Sequence, residues 1–295
     1  MYYSPLRYPG GKARLASFMK LMMKNLGHEG GIYVEPFAGG AGIAIELLEK
    51  KIAGKIVIND YDKGVYSFWR AILEDTDRFI SDISSVPLTV KEWEKQRDIC
   101  MNNNNKYSYE LGFATFYMNR TNRSGIIKGG IIGGKKQSGT WKMNARFNRE
   151  HLIERIKRVS AHKNSINIYN KDVRSFITNY LPLYDDNALI YFDPPYYNKG
   201  QQLYLNFFDS QDHQDIKSLI TEQVKCDWII TYDDSAEIEL LYSDENIYKF
   251  DLDYSASSRR KASELMIFKP SIDVPSYEEL INNSIQINLR KCSVL

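Results

Sequence analysis

The feature that most constrains the fold is a strand, a glycine-rich turn, a helix and a second strand that follow one another near the amino terminus. Ile32 to Glu35 is a short apolar segment typical of a buried strand, and Pro36 to Gly42 forms the turn. Ile43 to Lys51 has apolar residues at helical spacing, and Lys55 to Ile58 predicts the second strand. An acid, Asp60, closes this unit within about 30 residues, which is the pattern of a nucleotide-binding βαβ unit.

Strand signals resume in the second half of the chain. Ala188 to Phe192 and Trp228 to Tyr232 are near-continuous apolar runs, as expected for central parallel strands that are buried on both faces. Asp212 to Val224 predicts the helix between them. The remaining strand candidates are Ile166 to Tyr169 and a terminal antiparallel pair, Ile247 to Leu252 with Glu264 to Lys269. The sequence therefore predicts a doubly wound α/β sheet.

The middle of the chain has a different character and predicts an inserted, mostly helical domain. Residues 1–75 and 165–270 are assigned to the sheet domain, 76–164 to the insertion and 271–295 to a carboxyl-terminal tail. Glycines punctuate Thr121 to Asn144, which predicts a loop or an irregular hairpin. Between Tyr117 and Lys163 there are 12 Lys and Arg residues against 2 Asp and Glu residues. A basic patch of this kind suits a polyanion, although a solvated surface is the alternative.

Composition excludes several classes of protein. The 295 residues contain no apolar run of about 18 residues, so no membrane span is expected. The first residues lack the apolar stretch of a signal peptide. Three scattered cysteines form neither a metal-binding spacing nor a disulfide framework, which predicts a cytoplasmic protein without a metal site.

The sequence Asp193-Pro194-Pro195-Tyr196 directly follows an apolar strand, where ligands bind in open α/β sheets. Two consecutive prolines make a stiff turn without N–H donors. A carboxylate, free carbonyl oxygens and an aromatic ring then meet at one place, which suits a planar base that carries an amine. Asp193 and the Pro194 carbonyl can accept hydrogen bonds from that amine, while Tyr196 stacks on the ring. A simple β-turn is the alternative interpretation.

The turn from Val34 to Gly42 allows a ligand to approach the backbone closely, and the helix behind it offers free N–H groups. It matches neither the dinucleotide pattern nor a phosphate-binding P-loop. Glu35 and Phe37 favour a ligand with an ammonium group and an adenine, such as S-adenosylmethionine. Asp60 is placed for ribose hydroxyls, with Asp62 as its competitor and helix capping as the alternative for either.

Three motifs in this order are similar to those of the Dam-like (class alpha) family of adenine-N6 DNA methyltransferases. They are Arg7-Tyr8-Pro9-Gly10-Gly11-Lys12, the turn that begins at Glu35, and Asp193 to Tyr196. The resemblance continues at Asn170-Lys171-Asp172-Val173 and at Ile229-Ile230-Thr231-Tyr232. It implies a Rossmann-like methyltransferase sheet that uses S-adenosylmethionine and carries an inserted target-recognition domain.

The resemblance also implies roles for individual residues. Asp193, Pro194, Pro195 and Tyr196 correspond to the catalytic tetrapeptide, and Asp193 also faces the methionine end of the cofactor. The positions that correspond to cofactor-binding ones are Tyr8 and Lys12 near the amino terminus, Glu35, Phe37 and Gly39 in the turn, Asp60 for the ribose, and Asp172 and Val173 for the adenine.

The basic insertion resembles the target-recognition domain of this family, whose DNA-contacting hairpin begins at the counterpart of Asn119-Arg120. The predicted DNA-contacting residues are Asn119, Arg120, Arg123, Lys128, Lys135 and Lys136. GATC-specific members carry Asn-Gly-Leu-x-Arg where this chain has Ser124 to Lys128. Lysine cannot reproduce the two-pronged contact of arginine to guanine, so the resemblance does not extend to a GATC target.

The predicted activity is therefore transfer of a methyl group to N6 of an adenine that is flipped out of double-stranded DNA, by a monomer or a weak homodimer. A cytosine-N4 enzyme usually has Ser in place of Asp193. An RNA adenine methyltransferase and a catalytically silent DNA-binding protein on the same fold are competing hypotheses. No separate nuclease segment is visible.

Overall fold

A computed structural model describes residues 3–7, 12–102, 106–184, 187–197, 208–254 and 260–292 of the chain. Its centre is an eight-stranded sheet in the order β3-β2-β1-β4-β5-β7-β6-β8. β1 to β5 are parallel to one another. Beyond β5 the sheet continues with β7, which pairs antiparallel with β5, and with β6, which pairs antiparallel with β7. The strands are β1 (Ile32–Glu35), β2 (Lys55–Asn59), β3 (Ile166–Tyr169), β4 (Ala188–Phe192), β5 (Asp227–Asp233), β6 (Asn246–Tyr254), β7 (Arg260–Phe268) and β8 (Arg290–Lys291).

Helices cover both faces of this sheet. Alternate residues of each central strand point to opposite faces. Tyr191 joins the apolar cluster of one face, and Ile190 and Phe192 join that of the other. The described α-helices are α1 (Ala16–Asn25), α2 (Gly42–Glu49), α3 (Lys63–Glu74), α4 (Thr76–Ser85), α5 (Val90–Met101), α6 (Tyr109–Thr121), α7 (Arg149–Ala161), α8 (Val173–Asn179), α9 (Ser210–Gln223), α10 (Ala236–Leu241) and α11 (Tyr277–Asn282).

Helices from the first part of the chain pack on one face of the sheet, and helices that follow β3 and β4 pack on the other. Buried residues of α1, α2, α3, α6 and α7 belong to the first cluster, and those of α8, α9 and α10 belong to the second. This arrangement confirms the predicted doubly wound α/β class. The predicted strands and the terminal antiparallel pair are also confirmed, with ends that differ by a few residues.

Helices α3 to α7 stand between β2 and β3. The ring of Phe68 in α3 stacks on that of Phe116 in α6 with centroids 5.8 Å apart, and Phe79 of α4 packs edge-on against both. The insertion therefore shares an apolar core with the sheet domain through α3. The boundary at residue 76 falls between α3 and α4, where Asp75 separates the two helices. It remains a prediction.

The end of the described chain packs against the sheet, and its assignment as a separate tail remains a prediction. Residues expected to form a tail build α11 and β8, and β8 pairs antiparallel with β6. Ile272, Leu280, Ile285 and Ile287 are buried in the first apolar cluster. These side chains cover apolar surface that would otherwise face water, so the segment is a packed part of the fold.

Candidate active site and nucleic-acid interface

The carboxyl ends of the parallel strands meet along one edge of the sheet, and the predicted site residues follow these ends. Asp193 follows β4, Glu35 ends β1, Asp60 follows β2 and Asp172 lies shortly after β3. Because β3, β2, β1 and β4 are neighbours in that order, the four acids lie on adjacent strand ends. A crevice at this edge is where open α/β sheets bind their ligands.

The carboxylate of Asp193 is held by two partners. Thr231 of β5 donates from Oγ1 to Asp193 Oδ1 over 2.9 Å, and Tyr191 Oη lies 2.7 Å from the same Thr231 oxygen. Since the single Thr231 proton is used on Asp193, the proton of the second bond comes from Tyr191. Lys12 Nζ lies 3.5 Å from Asp193 Oδ1. Burial raises the pKa of Asp193, while the positive charge of Lys12 opposes this rise.

Tyr196, at the end of the same turn, is fixed through its hydroxyl. Lys12 Nζ donates to Tyr196 Oη over 3.0 Å, and Tyr196 Oη donates to Glu264 Oε1 over 3.0 Å. Lys12 also forms a buried ion pair with Glu264. Pro194 and Pro195, the two middle residues of the turn, are buried. The backbone N–H of Tyr197 donates to Asp233 Oδ1 over 2.8 Å, which ties the turn to the end of β5.

The glycine-rich turn after β1 is braced by Asp60. Gly39 has a positive φ of 46°, and its N–H donates to Asp60 Oδ2 over 2.7 Å. The other carboxylate oxygen accepts from the Asp62 N–H. Asp62 itself caps α3 by accepting from the N–H groups of Gly64 and Val65. Asp62 therefore acts as a helix cap and Asp60 as a brace of the turn, while the role of Asp60 toward a ribose remains a prediction. Burial raises the pKa of Asp60 to about 7.

Glu35 and Phe37 flank the start of this turn. The Glu35 carboxyl is buried and accepts from the Ala44 N–H over 3.0 Å. Burial raises the pKa of Glu35 to about 8, so this carboxyl binds a proton at neutral pH in the ligand-free protein. A neutral carboxyl attracts an ammonium group less than a carboxylate does. The half-buried Phe37 ring packs edge-on against Phe208, with centroids 5.9 Å apart.

Asn59 is a site residue that sequence reasoning missed. Its buried side chain donates to the carbonyl oxygens of Pro36 and Lys171, and accepts from the Lys171 N–H. It thereby links the segments that follow β1 and β3. Its position at the end of β2 was a signal, but its partners lie 23 and 112 residues away.

Asp172 and Val173 begin α8 beside this link. Asp172 caps the helix by accepting from the Arg174 N–H over 3.0 Å, and Val173 is buried. The roles of both residues toward a cofactor remain predictions. Tyr8, which was assigned to the same cofactor, lies outside the described residues.

Asn119 and Arg120 were predicted to contact DNA, but the structure buries both side chains. The Asn119 amide accepts from the Arg7 N–H over 2.8 Å and donates to the Arg7 and Gly125 carbonyl oxygens. Arg120 donates to the Pro5 carbonyl oxygen, and burial lowers its pKa to about 9. The two residues anchor the amino-terminal segment 3–7, because their side chains satisfy backbone groups of that segment. In the described structure they form no part of the exposed surface.

The other predicted DNA contacts are exposed. Arg123, Lys128 and Lys136 face solvent, and Lys135 pairs with Glu94 of α5 over 2.8 Å. Their loop is an irregular hairpin, as expected, with an antiparallel bridge between Asn122 and Ile131.

The loop also presents an aromatic residue that sequence reasoning overlooked. Trp141 is 73% exposed. Gln137 braces the neighbouring backbone, because it donates to the Ile132 and Gly134 carbonyl oxygens and accepts from the Met143 N–H. A large apolar side chain in a braced loop between lysines is suited to stacking on a base.

The sequence predicts neither a metal site nor a membrane-spanning segment. Within the described residues, no group of three or more His, Cys, Asp or Glu side chains is placed to hold a metal ion. None of the helices in the described part of the chain has the length and apolar character needed to cross a bilayer.

The fold places the chain among the doubly wound α/β proteins, whose ligands bind in the crevice where the parallel strands end. The chain belongs to the D12 class N6 adenine-specific DNA methyltransferase family, whose model matches residues 8–255. It is therefore an adenine-specific DNA methyltransferase, and the predicted reaction class is confirmed.

The individual proteins that the chain resembles share a small fraction of its residues. The Type II methyltransferase M.MjaIII of Methanocaldococcus jannaschii is 28% identical over 204 residues, which are 65% of this chain and 68% of that protein. Among solved structures, the rRNA methyltransferase aviRa of Streptomyces viridochromogenes aligns over 89% of this chain and 86% of its own, at 12% identity and a TM-score of 0.39. A proposed RNA methyltransferase of Pyrococcus horikoshii aligns over 90% and 88%, at 10% identity and a TM-score of 0.42.

Proposed function

We propose that this chain is a Dam-like enzyme that transfers a methyl group from S-adenosylmethionine to N6 of a flipped-out adenine at a specific site in double-stranded DNA. The observation that carries the proposal is the position of Asp193 and Tyr196. Both lie at the carboxyl edge of the sheet, and Thr231, Lys12 and Glu264 hold them by hydrogen bonds and ion pairs.

The residues along this edge fit S-adenosylmethionine. Gly39 has no side chain to obstruct a ligand, and Asp60 is a half-buried carboxylate with further lone pairs for ribose hydroxyls. Phe37 offers the edge of a half-exposed ring, while Asp172 and Val173 stand at the adjacent strand end for the adenine. When bound, S-adenosylmethionine supplies an electrophilic methyl group. The remaining work of the protein is to orient the two reactants.

The target amine is the second reactant. Asp193 and the Pro194 carbonyl oxygen each accept a hydrogen bond from one N–H of this amine, and the Tyr196 ring stacks on the base. These contacts direct the nitrogen lone pair at the methyl group. With S-adenosylmethionine bound, transfer would form a C–N bond and break the S–C bond, and N6 would take up the positive charge and release a proton to solvent. Extraction of the base costs about a few kcal/mol of stacking and pairing.

The exposed cations of the insertion form the proposed DNA interface. Arg123, Lys128, Lys135 and Lys136 contact phosphates or bases. We propose that Asn119 and Arg120 act on the DNA indirectly, by fixing the backbone on which the hairpin rests. The Type II assignment of M.MjaIII supports a restriction–modification setting for this chain, in the cytoplasm with its DNA.

The proposal is tested by single-molecule sequencing of DNA from a methylation-deficient host that expresses the chain. We expect modified adenines within one short motif, and none with the Asp193→Ala variant. Unmodified DNA from a host that contains folded, cofactor-binding protein would contradict the proposal. Methylated adenine in RNA alone would identify an RNA enzyme.

Trp141 provides a direct probe of the interface. The other three tryptophans, Trp69, Trp93 and Trp228, are buried, so collisional quenching by acrylamide reports on Trp141. We expect DNA to protect this fluorescence, and Trp141→Ala to weaken DNA binding about 5- to 100-fold, which is the loss of one base-stacking contact. Tyr277→Ala removes an exposed aromatic from α11 and serves as the control. Quenching that DNA leaves unchanged would exclude Trp141 from the interface.

A further inference from the structure

Glu264 lies outside every motif of the sequence, yet its carboxylate connects the two groups beside Asp193. It is on β7, in register with Asp233 at the end of β5, and it is 2% exposed. Oε1 accepts from the Tyr196 hydroxyl over 3.0 Å, and Oε2 pairs with Lys12 Nζ. One side chain from the antiparallel half of the sheet therefore fixes the orientation of both Tyr196 and Lys12.

The charges of this cluster matter for the reaction that we propose. Methyl transfer from a sulfonium to an amine moves a positive charge onto N6, so the surroundings of the nitrogen should be negative overall. Lys12 Nζ lies 3.5 Å from Asp193 and, alone, would cancel the charge of that carboxylate. With the negative charge of Glu264 included, the three side chains of Asp193, Lys12 and Glu264 carry a net charge of −1. In a buried site, such a difference acts over short distances with little screening.

We propose that Glu264 is a positioning residue for methyl transfer, which holds the Tyr196 ring in its stacking orientation and offsets the charge of Lys12 beside Asp193. The inference rests on the proposed function, because it assigns Asp193 and Tyr196 to the target adenine. Lys12, for which the resemblance implies a cofactor contact, also contacts the catalytic turn through Tyr196 and Glu264.

The electrostatics of Asp193 supply an independent readout. The negative charge of Glu264 raises the pKa of Asp193, and the positive charge of Lys12 lowers it. Thr231 also lowers it through its hydrogen bond. Asp193 in turn acts on the titratable groups of Tyr33, Glu35, Tyr191 and Tyr232. Removal of the Glu264 charge should therefore lower the pKa of Asp193. The acid limb of the kcat profile should move to lower pH.

The experiment compares Glu264→Gln with the wild-type enzyme. We expect kcat to fall about 10- to 100-fold at the pH optimum, while the Kd for S-adenosylmethionine and the KM for DNA change less than about threefold. The acid limb shifts downward, and Glu264→Asp recovers part of the rate. Glu239→Gln is the matched control, because Glu239 also pairs with a lysine, Lys249, but lies on α10 away from Asp193.

A second variant separates charge from folding. In Lys12→Met/Glu264→Gln both charges are absent, so we expect this variant to be less impaired than Glu264→Gln alone. Thermal unfolding of each variant shows whether it is folded. If Glu264→Gln does not fold, the double variant and Glu264→Asp are compared with the wild type instead. An active wild type with near-normal Glu264→Gln turnover and an unmoved acid limb would overturn the inference. An inactive wild type would instead contradict the proposed function.

Discussion

Asp193→Asn is expected to lower methyl transfer about 1000-fold or more. The Kd for S-adenosylmethionine rises much less, by about tenfold, because Asp193 is also predicted to face the methionine end of the cofactor. Asparagine keeps the shape of the side chain and can still accept from Thr231 and Lys12. It replaces a carboxylate oxygen with an N–H donor, however, which cannot accept from the adenine amine. It also removes the negative charge that favours the developing cation on N6, and loss of one such electrostatic contact typically costs about 100- to 1000-fold.

The measurement is incorporation of a labelled methyl group into DNA under single-turnover conditions, with cofactor affinity measured separately by calorimetry. Asp234→Asn is the control, because Asp234 lies near the end of β5 and pairs with Lys249 over 3.1 Å, outside the catalytic turn. A turnover within about tenfold of wild type would show that Asp193 does not hold the target amine.

Asn59→Ala is expected to lower the free energy of unfolding by about 2–4 kcal/mol, because it leaves a buried carbonyl of Pro36 and two half-buried backbone groups of Lys171 without their partner. The same change loosens the segments after β1 and β3, where the cofactor is proposed to bind. We therefore expect the Kd for S-adenosylmethionine to rise about tenfold or more, which is roughly 1.4 kcal/mol of lost binding free energy.

Chemical denaturation and calorimetry measure these two effects. Asn167→Ala is the matched control: Asn167 lies on β3 and makes one side-chain hydrogen bond, to Tyr184 Oη over 2.8 Å. It should lose less stability and keep its cofactor affinity. If both variants bind the cofactor equally well, Asn59 is a structural link with no bearing on the cleft.

The amino-terminal segment 3–7 joins the proposed cofactor turn to the insertion. Ser4 Oγ contacts the Gly40 carbonyl oxygen, and the Ser4 carbonyl oxygen accepts from Arg155 of α7 over 3.1 Å. Arg7 and Pro5 are held by Asn119 and Arg120 of α6. The burial of Asn119 and Arg120 thus has a structural reason, and the residues that we propose to face DNA are the exposed ones of the hairpin.

The sequence by itself determined the features that depend on neighbours along the chain. Short apolar runs bounded by turn residues predicted the strands, and the glycines after β1 predicted the turn, because these signals arise from local backbone preferences. The turn from Asp193 to Tyr196 was visible for the same reason. Parallel strands bring their carboxyl ends to one edge, so local motifs were enough to predict the place of the site and the class of reaction.

Only the tertiary structure decided which side chains surround that site and which are buried. Glu264 stands 252 residues from Lys12, and Asn119 stands 112 residues from Arg7. No local sequence pattern distinguishes a buried, paired acid on β7 from a solvated one. Nor does it distinguish an arginine that anchors a backbone segment from an exposed arginine that could contact DNA. Burial and pairing are set by which strands and helices meet, and these contacts determine the charge and hydrogen bonding of each group.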